Sequence, residues 1–87
     1  MRLYVGNLSS VTDEAALKSA FAAHGEVTSV EIVRDRRSQK SKGFGFVEMP
    51  QAAEAAGAIG ALHETLLDGN RLAVDKARPR REGGLLP

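Results

Sequence analysis

Cysteine and tryptophan are missing from this sequence, and its aromatic content is one tyrosine and three phenylalanines. Without cysteine there is no disulfide framework, no Cys-based zinc site and no thiol nucleophile. That composition suits a reducing compartment, and a cytoplasmic protein is expected. The two histidines, His24 and His63, are isolated, and no Ser-His-carboxylate set is visible. The segment Gly43-Phe44-Gly45-Phe46-Val47-Glu48 lacks the third glycine and the following helix of a dinucleotide fingerprint. Long apolar runs are absent too, so nothing here would span a bilayer, and Met-Arg-Leu-Tyr-Val is not a basic-then-apolar leader. We therefore expect no catalytic residue, metal site, cofactor, small-molecule substrate or membrane partner.

Eighty-seven residues make one domain near the lower end of what folds alone. The formal net charge is only +1, but its distribution is uneven. Residues 34–42 hold Arg34, Arg36, Arg37, Lys40 and Lys42 against Asp35, a local +4. Residues 76–82 hold Lys76, Arg78, Arg80 and Arg81 against Glu82, a local +3, which leaves −6 for the rest. Such runs are often only solvated loops. Two of them flanking an aromatic surface point to a phosphate backbone as partner.

That surface is inferred from Lys42–Met49, which reads K-G-F-G-F-V-E-M. Side chains of a strand alternate between two faces. Lys42, Phe44, Phe46 and Glu48 therefore share one face, and Gly43, Gly45, Val47 and Met49 share the other. Burying the first set would bury a lysine and a glutamate, at a cost of several kcal/mol unless each is paired. The cheaper arrangement leaves both phenylalanines facing water. Arg2–Asn7 repeats the logic: Tyr4 shares its face with Arg2, while Leu3 and Val5 point inward.

The rest of the chain supplies the framework. Thr12 is suited to cap a helix whose first turn carries Asp13 and Glu14 and whose apolar stripe is Ala16, Leu17, Ala20 and Phe21. Phe21 is the one aromatic assigned to the core, and Gly25 is the expected stop. Val27–Arg34 reads as a strand, and Asp35–Ser41 as a charged loop. Pro50 opens an alanine-rich helix over 51–62 with Ala52, Ala55, Ala56, Ile59 and Leu62 on one face. The small residues Gly57 and Gly60 suggest close packing on the sheet over Gly43 and Gly45. Asp68-Gly69 marks a hairpin turn, and Arg71–Ala77 a last strand with Leu72 and Val74 inward. The order strand, helix, strand, strand, helix, strand predicts an α+β, ferredoxin-like βαββαβ sandwich. Two helices pack on one face of a four-stranded antiparallel sheet, and Tyr4, Phe44 and Phe46 lie on the open face.

With this order in hand, the octamer Lys42–Met49 resembles the first ribonucleoprotein motif of RNA-recognition-motif domains, and Leu3–Leu8 (L-Y-V-G-N-L) resembles their hexamer motif. The likeness covers residues 2–79 and extends to small single-domain members found in bacteria. It implies that Tyr4 and Phe46 each stack a base, that Phe44 packs against sugars and that Lys42 meets a phosphate. Arg2 and Asn7 complete the expected site on the first strand, and the resemblance implies that residues after the last strand, with Lys76, Arg78 and Arg80 as candidates, contact the flanking nucleotides. There are three departures from the family pattern. Met49 replaces an aromatic but points inward, His63-Glu64 stands where Asn-Gly is common, and Glu31, Glu48 and Asp75 bring negative charge to the open face.

The expected organisation is thus one domain over residues 1–79 with a short, basic, disordered tail over 80–87, in a freestanding monomer. The expected function is single-stranded RNA binding by base stacking, with single-stranded DNA as a further ligand, in an RNA chaperone or post-transcriptional regulator. The alternative is a protein-interaction module of the same fold. Such variants commonly lose the stacking rings, and all three are present here.

Overall fold

A computed structural model describes residues 1–77. The domain limit at 79, the tail over 80–87, Arg78 and Arg80 lie outside the described residues. Strand β1 (Arg2–Gly6) leads to helix α1 (Glu14–Ala22), strands β2 (Ser29–Arg34) and β3 (Ser41–Glu48), and helix α2 (Ala52–Leu62). A small hairpin of β4 (Leu66–Leu67) and β5 (Asn70–Arg71) precedes the last strand, β6 (Ala73–Lys76). The main sheet runs β2-β3-β1-β6 with every pair antiparallel, which is the expected βαββαβ arrangement. The two strands carrying the motifs, β1 and β3, are therefore its centre.

Strand parity decides the core as anticipated. Leu3, Val5, Val47, Met49, Leu72 and Val74 are buried on the helix side, together with Leu17 and Phe21 of α1. Burial of Met49 makes its replacement of an aromatic a matter of core packing. The Asp68-Gly69 turn has φ of 52° and 85° at its two central residues, the left-handed pair that closes a two-residue hairpin.

Several local expectations are corrected. Asp13, not Thr12, caps α1, its Oδ1 accepting from Ala16 N at 2.9 Å. The Thr12 side chain is buried instead, its hydroxyl donating to Asp68 Oδ2 at 2.6 Å and so tying the loop after β1 to the hairpin. The face α2 turns to the sheet carries Ala55, Ala58, Ile59 and Leu62, whereas Ala52 and Ala56 are exposed. Gly57 and Gly60 do not pack on Gly43 and Gly45: a Cβ added at either would meet nothing within 4 Å. Gly45 is small because the backbone of β2 passes against it, with Ile32 Cα 3.1 Å from where a Cβ would sit.

The His63-Glu64 departure also has a structural account. Glu64 adopts φ 67°, the left-handed conformation, at the exit from α2. The His63 Nδ1 accepts the Val74 N–H at 3.1 Å, while Glu64 N donates to Leu72 O and Leu72 N to Thr65 O. The outer edge of β6 is thereby paired with the segment after α2, which blunts an otherwise open sheet edge.

Candidate nucleic-acid interface

Both helices lie on one side of the sheet, so the other side is left to Tyr4, Phe44 and Phe46. The register places Tyr4 opposite Phe46 and Gly6 opposite Phe44. The three rings form a triangle, with Tyr4 centred 6.1 Å from each phenylalanine and the phenylalanines 6.2 Å apart. Tyr4 remains 36% exposed, whereas Phe21, the fourth aromatic, is fully buried. A protein of this size would gain by burying all four rings. Holding three at the surface leaves apolar π faces available to a planar ligand.

The ring pose has a cause the sequence reading passed over. Gly6 shares the open face with Tyr4, and a Cβ placed there would lie 2.5 Å from the Tyr4 hydroxyl oxygen and 2.9 Å from Cε2 and Cζ. The Tyr4 ring thus lies down across Gly6, which has no side chain to lift it. The available signal was a glycine two residues after an aromatic on the same strand face.

Arg2 is the second unanticipated arrangement. Its guanidinium carbon stands over the Phe46 ring, 4.3 Å from the centroid, as a cation–π contact. Its Nη2 reaches Glu31 Oε1 at 3.6 Å on β2, the strand beyond Phe46. A planar cation therefore lies against Phe46 in the layer a stacked base would take. Of the other acidic groups on this face, Glu48 lies 3.2 Å from the Met1 amino nitrogen. Asp75 is exposed on β6 directly opposite Tyr4.

The remaining expected residues divide. Lys42 is exposed on the same parity as the rings. The Asn7 amide already donates to Arg71 O at 2.7 Å, and Asn70 donates to Asn7 O at 3.2 Å, so Asn7 chiefly joins the loop after β1 to the hairpin. Lys76 follows Asp75 on the opposite parity and pairs with buried Leu3, so its side chain leaves β6 toward the helix side at the strand end.

Within the basic run, Arg34 is committed to the fold, donating to both Glu14 oxygens at 2.9 and 3.4 Å. Those hydrogen bonds hold the Glu14 carboxyl below its ordinary value. Asp35 shapes the loop that follows: its Oδ1 accepts from Ser38 N and Arg37 N, each at 2.9 Å. These bonds, Ser38 first, pull the Asp35 carboxyl below the usual range. Arg36, Arg37 and Lys40 are left exposed on a loop whose backbone is held in shape.

Residues 3–73 match the family described as RNA recognition motif. The chain is 44% identical over 84 residues to glycine-rich RNA-binding protein 1 of Mycosarcoma maydis, covering 97% of this chain and 48% of that protein. Against the RbpA protein of Nostoc sp. the identity is also 44% over 84 residues, with 97% and 82% covered. The chain thus spans about half the length or less of the first curated relatives it matches, and most of the length of a small bacterial one. Among solved structures, that of RNA binding protein PG1 superposes with a TM-score of 0.89 at 39% identity, covering 94% of this chain and 99% of that one.

Proposed function

Because the chain belongs to the RNA recognition motif family, we propose that its open sheet face holds single-stranded RNA, one base stacked on Tyr4 and another on Phe46. The observation that carries this reading is the triangle of three rings, Tyr4 exposed and Phe44 and Phe46 half-buried, 6.1–6.2 Å apart on the side of the sheet without helices. Phe44 lies between the two stacked bases and packs on sugar. Lys42 meets a phosphate, and the exposed Arg36, Arg37 and Lys40 guide the backbone toward the face. When a base takes the layer over Phe46, Arg2 exchanges its cation–π contact for a phosphate oxygen. Asn7 keeps the adjoining loop in place and has its Oδ1 free for a ligand. Lys76 at the end of β6, with Arg78 and Arg80 outside the described residues, supplies phosphate contacts to the flanking nucleotides.

Stacking contributes about 1–3 kcal/mol per base. Two stacked bases with a few ionic contacts correspond to a roughly micromolar dissociation constant. An affinity of that order suits a monomer that binds and releases transcripts, as an RNA chaperone or post-transcriptional regulator does, without catalysing a reaction. Single-stranded DNA is a further ligand of the same face, because a π face accepts bases on either sugar. The double variant Phe44→Ala/Phe46→Ala tests the reading by fluorescence anisotropy with labelled single-stranded RNA. Binding should be lost while the circular dichroism spectrum stays that of the parent. Parental affinity in that variant would refute it.

A further inference from the structure

Across the centre of the sheet, one row of side chains reads Glu31, Phe46, Tyr4, Asp75 on β2, β3, β1 and β6. A carboxylate closes the row at each end, beside each of the two rings proposed to stack bases. Negative charge on a face offered to RNA costs affinity toward phosphate, so it needs a compensating contact. The two acids differ in what they already hold. Glu31 is engaged by Arg2 at 3.6 Å. Among the described residues, Asp75 accepts only the N–H of its neighbour Lys76 at Oδ1, 2.7 Å away, which leaves Oδ2 and one lone pair of Oδ1 for another donor. Asp75 also lines, with Tyr4, Ala73 and Val74, an open cavity of about 540 Å³ that wraps over the β6 edge to Ile59, Gly60 and His63. Neighbouring strands lie about 4.8 Å apart, so the edge of a base stacked on Tyr4 overhangs β6, where Asp75 is the opposing residue and Ala73, next on the same face, is small.

Resting on the RNA-binding reading above, we propose that Asp75 determines base specificity at the Tyr4 position. It selects a base whose edge carries N–H donors, guanine first and uracil last. An ionised carboxylate only accepts hydrogen bonds. Guanine presents N1–H and the N2 amino group side by side, a pair that two carboxylate oxygens can accept together. Adenine and cytosine present one amino group beside a ring-nitrogen acceptor. Uracil presents N3–H between two carbonyl oxygens, each of which repels a carboxylate. The acid is thus a filter against uracil, and its cost toward phosphate is recovered only when the correct base is stacked.

The test measures affinity at one fixed salt concentration for short RNA oligonucleotides of uridine alone and of uridine alternating with guanosine, inosine, adenosine or cytidine. The parent should bind the guanosine oligomer about tenfold more tightly than oligouridine, as expected for one good bidentate base contact. Inosine, which lacks the N2 amino group, should lose several-fold of that. Asp75→Asn keeps the side-chain volume but offers a donor as well as an acceptor, so it should bring the guanosine-to-uridine ratio to within about twofold. Should Asp75→Asn tighten all five oligomers by the same factor, Asp75 acts through charge alone and the proposal is overturned, although RNA binding stands. Should the parent bind none of them, the RNA-binding reading itself fails, and the selectivity with it.

Discussion

Gly6→Ala is the substitution that separates the ring pose from the fold. Gly6 does not adopt a positive φ, so alanine is tolerated by the backbone. The new Cβ would stand 2.5–2.9 Å from three atoms of the Tyr4 ring. Ordinary carbon contacts begin near 3.5 Å, so the ring has to move by about 1 Å or turn about χ1. It is free to do so because its outer side faces solvent. Stability should change little: removing a strand glycine contributes about 0.5–1 kcal/mol, and an off-rotamer tyrosine costs about 0.5–1.5 kcal/mol. Binding should change more, because a lifted Tyr4 no longer offers its face to a base. Of the roughly 1–3 kcal/mol a stacked base contributes, most should be lost, a weakening of about five- to thirtyfold for 1–2 kcal/mol. Fluorescence anisotropy with labelled single-stranded RNA reads the affinity, and thermal melting reads the fold. Parental affinity would refute the argument that Gly6 sets the ring, and so would a collapse of the melting transition.

Two further outcomes concern the scaffold. Gly57→Ala fills open space on the exposed side of α2. It should stabilise the domain by up to about 1 kcal/mol in denaturant titration, with RNA affinity unchanged. The Glu14 carboxyl, held low by Arg34, gives a pH signature. Its folded value lies below its unfolded one, so its contribution is present at neutral pH and is lost as pH falls through the carboxylate range, below about 4.3. Both partners are partly exposed, at 31% and 46% of their side-chain surface, so solvent screening limits the loss to at most about 1 kcal/mol. Melting temperatures at neutral and acid pH should therefore fall less steeply in Glu14→Gln than in the parent.

The face of each strand was readable from the sequence because alternation turns one charged neighbour into a statement about a whole strand. Lys42 and Glu48 place Phe44 and Phe46 outward, and Arg2 does the same for Tyr4. Helix α2 was less legible. Nearly every candidate on its apolar face is alanine, so periodicity cannot tell Ala56 from Ala58, and Gly57 looked like a packing residue where it is a solvent-facing one. Thr12 and Asp13 are both competent caps by chemistry. What assigns the cap to Asp13 is Asp68, distant in sequence, which draws the Thr12 hydroxyl inward. The same limit applies to the site. Its rings follow from local pattern, whereas the stacking of Arg2 on Phe46 depends on Glu31 arriving from β2 in register. The carboxylates read as departures from the pattern, and only the register puts Asp75 beside Tyr4.

The central claim is that bases stack on Tyr4 and Phe46, and the ring proton resonances of these two residues report on it directly. On titration with a single-stranded RNA oligonucleotide, both sets should move upfield together and saturate at one dissociation constant, while Phe21 in the core stays still. Saturable RNA binding that leaves the Tyr4 and Phe46 ring signals in place would contradict the account.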